Sequence, residues 1–120
     1  APNQTEIVSV IGAGITGARI VIYEDIIDTG NTLLGVVKAL KAMGAAEIYV
    51  YATHGIFSNG SISSFATNGY SISCTDSIPR TAEYYKQQEQ WLARVPIHTY
   101  LAKAIYQATQ MGGSISKLAP

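Results

Sequence analysis

From residue 6 to residue 111 the chain alternates two kinds of apolar pattern. The segments "EIVSVIG" (6–12) and "RIVIY" (19–23) are short, β-branched and strand-like. In "NTLLGVVKALKAMG" (31–44), Leu33, Val36, Val37, Leu40 and Met43 instead recur at helical spacing, with Gly44 placed to end the helix. "EIYVYATH" (47–54) predicts the next strand, a Gly/Ser/Asn-rich loop spans residues 55–61, and a short helix follows over 61–67. "YSISCTD" (70–76) reads as a strand and "TAEYYKQQEQWLA" (81–93) as helical or mixed. "RVPIHT" (94–99) reads as a short last strand, and "YLAKAIYQATQM" (100–111) as a closing helix. Strands alternating with helices predict an α/β fold built on a parallel sheet.

Length and composition narrow this picture. One domain fits in 120 residues and a second does not. With 48% hydrophobic and 13% charged residues, and no apolar run near the ~18 residues of a membrane span, the composition predicts a soluble globular protein. A formal net charge of zero supplies no global field for nucleic acid or for a membrane surface, so neither is expected as a partner. Any anion site must be built locally. Near-neutral charge also favours self-association, and a homo-oligomer is expected. The single cysteine, Cys74, fits a reducing compartment and a cytoplasmic location. The Ala-Pro-Asn-Gln start has neither a signal-peptide pattern nor an initiator Met, which reads as a chain processed or cut from something longer.

The stretch "GAGITG" (12–17) satisfies the dinucleotide pattern G-x-G-x-x-G. That pattern works only where a helix starts in the glycine turn, so that its N–H groups meet a pyrophosphate. Here "ARIVIYED" follows, and its β-branched residues belong to a strand. A plain β-turn linking two strands is the expected structure.

The stretch "IVIYEDIIDTGNT" (20–32) has the context that the glycine motif lacks. Ligands of parallel sheets bind beyond the carboxyl ends of the strands, where Glu24 and Asp25 are expected. Asp28, Thr29, Gly30, Asn31 and Thr32 then lead directly into a helix. Such a turn aims backbone N–H groups and two hydroxyls at the positive end of a helix, and Gly30 lets the backbone come close. It suits a phosphate. The adjacent carboxylates suit sugar hydroxyls, as acceptors, or a hydrated divalent cation. Phosphate at one end and vicinal hydroxyls at the other describe a ribose 5-phosphate. A simple helix cap at Asp28 or Thr29 would account for one polar residue here, not for five in a row.

The remaining polar and aromatic residues read as structural. His54 and His98 are far apart, with no ligand at metal spacing beside either, and His98 is expected to be packed in the last strand. Tyr49, Tyr51, Tyr84 and Tyr85 have no basic stripe beside them, so packing or subunit contact is expected rather than base stacking.

"IVIYEDIIDTGNT" resembles the phosphoribosyl-pyrophosphate (PRPP) motif of type I phosphoribosyltransferase folds: a hydrophobic strand, two acids, two apolar residues, then Asp-Thr-Gly-x-Thr. That motif is shared by the transferases of nucleotide salvage and the ribose-phosphate pyrophosphokinases, or PRPP synthetases. Four further segments are similar to those of the synthetases: "YATHGIFSNGS" (51–61), "CTDSIP" (74–79), "YLAKAI" (100–105) and "GGSISKL" (112–118). The resemblance runs in order along nearly the whole chain. It implies a three-layer, Rossmann-like parallel-sheet domain, residues 1–120, forming the C-terminal half of a synthetase subunit.

The resemblance also implies roles. Glu24 and Asp25 would hold the ribose hydroxyls, and residues 28–32 the 5-phosphate of ribose 5-phosphate or PRPP. Glu24 stands where the synthetases usually have Asp, and Asn31 where they have Gly or Ala. The family moves a diphosphoryl group from Mg-ATP to the anomeric hydroxyl, for nucleotide biosynthesis, so Mg²⁺ is the implied cofactor and ATP a substrate of the parent enzyme. A metal ion would meet Glu24 and Asp25 only through sugar or water. The family's Lys/Arg loop and its metal and ATP ligands precede the matching segment, so no catalytic residue is expected within this chain. Its partner would be the missing N-terminal half. Ser58, Ser114 and Ser116 would serve a regulatory site or a subunit contact. A salvage phosphoribosyltransferase and a non-catalytic PRPP-fold regulatory module are the alternative readings.

Overall fold

The computed structural model describes residues 14–118. Strand β1 (Arg19–Ile27) leads into helix α1 (Asn31–Ala42) and strand β2 (Glu47–Gly55). A 3-10 turn (Ser58–Gly60) runs into α2 (Ser61–Thr67), followed by β3 (Ile72–Thr75), α3 (Ala82–Gln87), β4 (Leu92–Val95) and α4 (His98–Thr109). A second 3-10 turn, Ile115–Leu118, packs on α4. The expected strand at 6–12 lies outside the described residues.

The four strands form one sheet in the order β1-β2-β3-β4, parallel throughout. Crossovers that all step the same way, each with the usual right hand, place their helices on one face of the sheet. Burial follows that rule. Val50 and Ala52 of β2, Ile72 and Cys74 of β3 and Leu92 of β4 form one core with Leu33, Leu34 and Val37 of α1 and Ile62 and Phe65 of α2. Each fully buried aliphatic or aromatic side chain contributes about 1.5–3 kcal/mol. The alternate strand residues Val21, Tyr23, Tyr49 and Tyr51 are exposed on the opposite face. On the open face Tyr23 and Tyr51 stack with ring centroids 5.6 Å apart.

Several boundaries differ from those expected. On α1 the buried stripe takes Leu34 and leaves Met43 exposed, because the helix ends at Ala42. Gly44 then turns the chain at φ 91°, a conformation that favours glycine. The last strand starts two residues early, since Leu92 pairs with Ile72 and is buried. It stops at Val95 because Pro96 has no N–H for the ladder. His98 is therefore not a packed strand residue but an exposed one at the start of α4. No residue of α4 is buried. In the glycine motif, Ala18 N–H donates to Ile15 O at 3.0 Å across a turn, and a strand rather than a helix follows.

Candidate functional site

The parallel sheet brings the carboxyl ends of β1 and β2 side by side, with Ile26 level with His54 and Ile27 level with Gly55. Beyond β1, an open cleft of about 320 Å³ is lined by Glu24 and by the continuous run from Ile26 to Leu33, which contains Asp28, Thr29, Gly30, Asn31 and Thr32. All five residues expected to hold a phosphate therefore share one surface. Gly30 is the N-cap of α1 at φ 73°, and no side chain caps the helix. Neither Asp28 nor Thr29 is a helix cap. The first turn of α1 also carries no acid, so no carboxylate of its own offsets the positive end of the helix.

Gly30 is fixed by sterics as well as by its backbone. A Cβ there would lie 2.5 Å from Cε2 of Phe65, a fully buried ring of α2. The floor of the turn is thus the hydrophobic core itself.

The acids are arranged differently from the sequence expectation. β1 continues through Glu24 and Asp25 to Ile27, with Glu24 level with Ala52, so the pair lies within the strand and not beyond it. Pairing with β2 holds the backbone extended as far as Gly55, and consecutive residues of a strand face opposite sides. Glu24, half-buried, lines the cleft; Asp25 does not, and its Oδ1 accepts from the backbone N–H of Ile26 at 2.7 Å.

A second loop closes against the first. Ile27 O accepts from the backbone N–H groups of Ile56, at 2.9 Å, and of Phe57, at 3.3 Å. The Phe57 ring packs over Gly55, leaving no room there for a side chain. The Arg80 guanidinium donates to Gly55 O at 3.2 Å and also to Ile56 O, and it lies 5.0 Å over the Tyr84 ring. The Ser58 hydroxyl donates to Asp28 Oδ1, joining the loop after β2 to the cleft-lining loop after β1. The clasp of Ile27, Phe57 and Arg80 has no signature in the sequence. Its hydrogen-bonding partners are separated by 24 or more positions, and all three acceptors are backbone carbonyls.

The neighbouring polar groups are structurally engaged. His54 Nδ1 lies 2.6 Å from Ser77 Oγ, which donates to Thr53 O at 3.1 Å. Beyond β3, Asp76 pairs with Arg94 at 2.7 Å and accepts from Ile97 N–H at 3.0 Å; the guanidinium, then that N–H, hold its carboxyl below the usual aspartate range. Burial pushes the Cys74 thiol up. Tyr84 and Tyr85 form an edge-on pair at 5.9 Å, and both pack on the core. Ser114 and Ser116 pair with each other, Oγ to Oγ at 2.6 Å, and neither lines the cleft. Among the described residues no group of three or more His, Cys, Asp or Glu could hold a metal ion.

Residues 1–119 match the phosphoribosyl synthetase-associated domain. A ribose-phosphate pyrophosphokinase of Bradyrhizobium diazoefficiens is 32% identical over 98% of this chain and 36% of its own length. One from Chromobacterium violaceum is 38% identical over 67% of this chain and 24% of its own. The crystal structure of phosphoribosylpyrophosphate synthetase from Mycobacterium smegmatis superposes with a TM-score of 0.70 at 29% identity, covering 82% of this chain and 32% of that one. The matches cover between about a quarter and about a third of the length of these relatives.

Proposed function

Given that the chain belongs to the phosphoribosyl synthetase-associated domain family, we propose that it supplies the ribose-phosphate side of a ribose-phosphate pyrophosphokinase. The observation that carries this reading is the cleft itself. A Thr-Gly-Asn-Thr turn enters a helix that has no side-chain cap, and the acid Glu24 lines the same wall. The backbone N–H groups of the turn, the hydroxyls of Thr29 and Thr32 and the positive end of α1 receive the 5-phosphate. Glu24 accepts from ribose hydroxyls, with Asp25 secondary because it faces the other side of β1.

The whole enzyme would move a diphosphoryl group from ATP to C1 of ribose 5-phosphate. Magnesium would neutralise the charge on the phosphates. Such an ion needs only one or two carboxylates besides phosphate and water, and Glu24 and Asp28 are the acids that line the cleft. The cations that act on the migrating group belong to the remaining two thirds of a synthetase subunit, which would be the partner of this domain along with further copies of itself. The exposed Tyr23, Tyr51, Tyr100 and Ile105 are suited to such contacts.

Isothermal titration of the 120-residue chain with ribose 5-phosphate, ribose and inorganic phosphate tests the reading. Ribose 5-phosphate is expected to bind more tightly than either part, with inorganic phosphate competing. Equal weak binding of all three would overturn it.

A further inference from the structure

The structure assigns Ser58 a role that depends on the proposed function: it is a positioning residue for the ribose-phosphate cleft, acting through Asp28. Three observations support it. The Ser58 hydroxyl donates to Asp28 Oδ1 across 30 residues of sequence, from the loop after β2 to the loop after β1. Asp28 is exposed and lines the cleft, whereas Ser58 is half-buried and does not line it. An exposed aspartate on a turn would otherwise sample several rotamers, and a hydroxyl donor selects one. Finally, the backbone that presents Ser58 is held in place. Phe57 and Asn59, on either side, both have positive φ, 52° and 53°. Non-glycine residues adopt that region at a cost and persist there only when neighbouring contacts enforce it. Here the contacts are Ile27 O on Ile56 and Phe57 N–H, and Arg80 on the carbonyls of Gly55 and Ile56.

A phosphate dianion gives the arrangement its purpose. A free carboxylate lining an anion site could swing toward the phosphate and repel it. With Oδ1 committed to Ser58, the Asp28 charge has one address, and its second oxygen stays available to a ligand hydroxyl. Ser58 touches no ligand in this scheme; it determines where Asp28 stands.

The test uses the 120-residue chain and the variants Ser58→Ala, Ser58→Thr, Asp28→Ala and Ser58→Ala with Asp28→Ala. Two readouts are taken: the ¹H–¹⁵N resonances of residues 28–32 without ligand, and the calorimetric affinity for ribose 5-phosphate. Ser58→Ala should shift those resonances and weaken binding by roughly tenfold, the scale of a hydrogen bond to a charged group. Ser58→Thr should restore both. In the Asp28→Ala background, Ser58→Ala should change neither, an outcome that general loss of structure would not give. Unmoved resonances, unchanged affinity, or an undiminished Ser58→Ala effect without Asp28 would overturn the inference. A parent chain that binds no ribose 5-phosphate would instead overturn the proposed function, and the resonances would still report whether Ser58 sets Asp28.

Discussion

Gly30 and Phe65 meet with no space between them: a Cβ on Gly30 would come within 2.5 Å of the Phe65 ring edge. The turn into α1 and the hydrophobic core are therefore one object at this point, and a change in either is felt by the other. Gly30→Ala imposes both a left-handed conformation and this clash, and it should destabilise the fold by about 1–3 kcal/mol in urea unfolding. Phe65→Ala should cost about 3–5 kcal/mol through the cavity it leaves. The double variant should lose less than the sum, because the truncated ring no longer meets the new methyl.

Thr32 carries one of the two hydroxyls of the cleft wall. Thr32→Val keeps the shape and removes the hydroxyl. Phosphate and ribose 5-phosphate affinity should fall together by ~1 kcal/mol or more, as measured by calorimetry.

Glu24 and Asp25 should separate by function, since only Glu24 lines the cleft. Glu24→Gln is expected to weaken ribose 5-phosphate binding several-fold while leaving inorganic phosphate binding nearly unchanged. Asp25→Asn should change either affinity much less. Equal losses from the two substitutions would mean that both carboxylates reach the sugar in solution.

The Asp76–Arg94 pair should make stability depend on acid pH. The folded carboxyl is held below its usual value, so its contribution is present above the unfolded pKa of ~3.9 and is lost as pH falls through the folded value. Asp76→Asn should lower the urea midpoint at pH 7. The gap between variant and parent should narrow at pH 3.

The chain alone is expected not to form PRPP from ATP and ribose 5-phosphate. Diphosphoryl transfer depends on cations placed against the migrating group. The two arginines at the carboxyl end of the sheet are already engaged: Arg80 on two backbone carbonyls and Tyr84, Arg94 on Asp76 and Tyr85. A coupled turnover assay should read background, and should rise when the N-terminal part of a synthetase is supplied. Turnover by the chain alone, abolished by Glu24→Gln, would place the catalytic cations within it.

The alternation of β-branched runs with a 3.6-residue apolar stripe was enough to read a parallel α/β sheet, and α2 (Ser61–Thr67) fell where it was expected. That the run from Asp28 to Thr32 shares one surface at the start of a helix was also legible, because a turn entering a helix is made by consecutive residues and local backbone geometry. Both are short-range properties. The faces taken by Glu24 and Asp25 depended on how far β1 stays paired with β2, and that pairing joins residues 28 positions apart. The Ser58–Asp28 bond, the Arg80 clasp and the contact of Gly30 with Phe65 likewise join distant segments through a carbonyl, a rotamer or a ring edge. Such contacts leave no periodic trace along a chain. They exist once four parallel strands, stepping in one direction, have carried their connecting loops to the same end of the sheet.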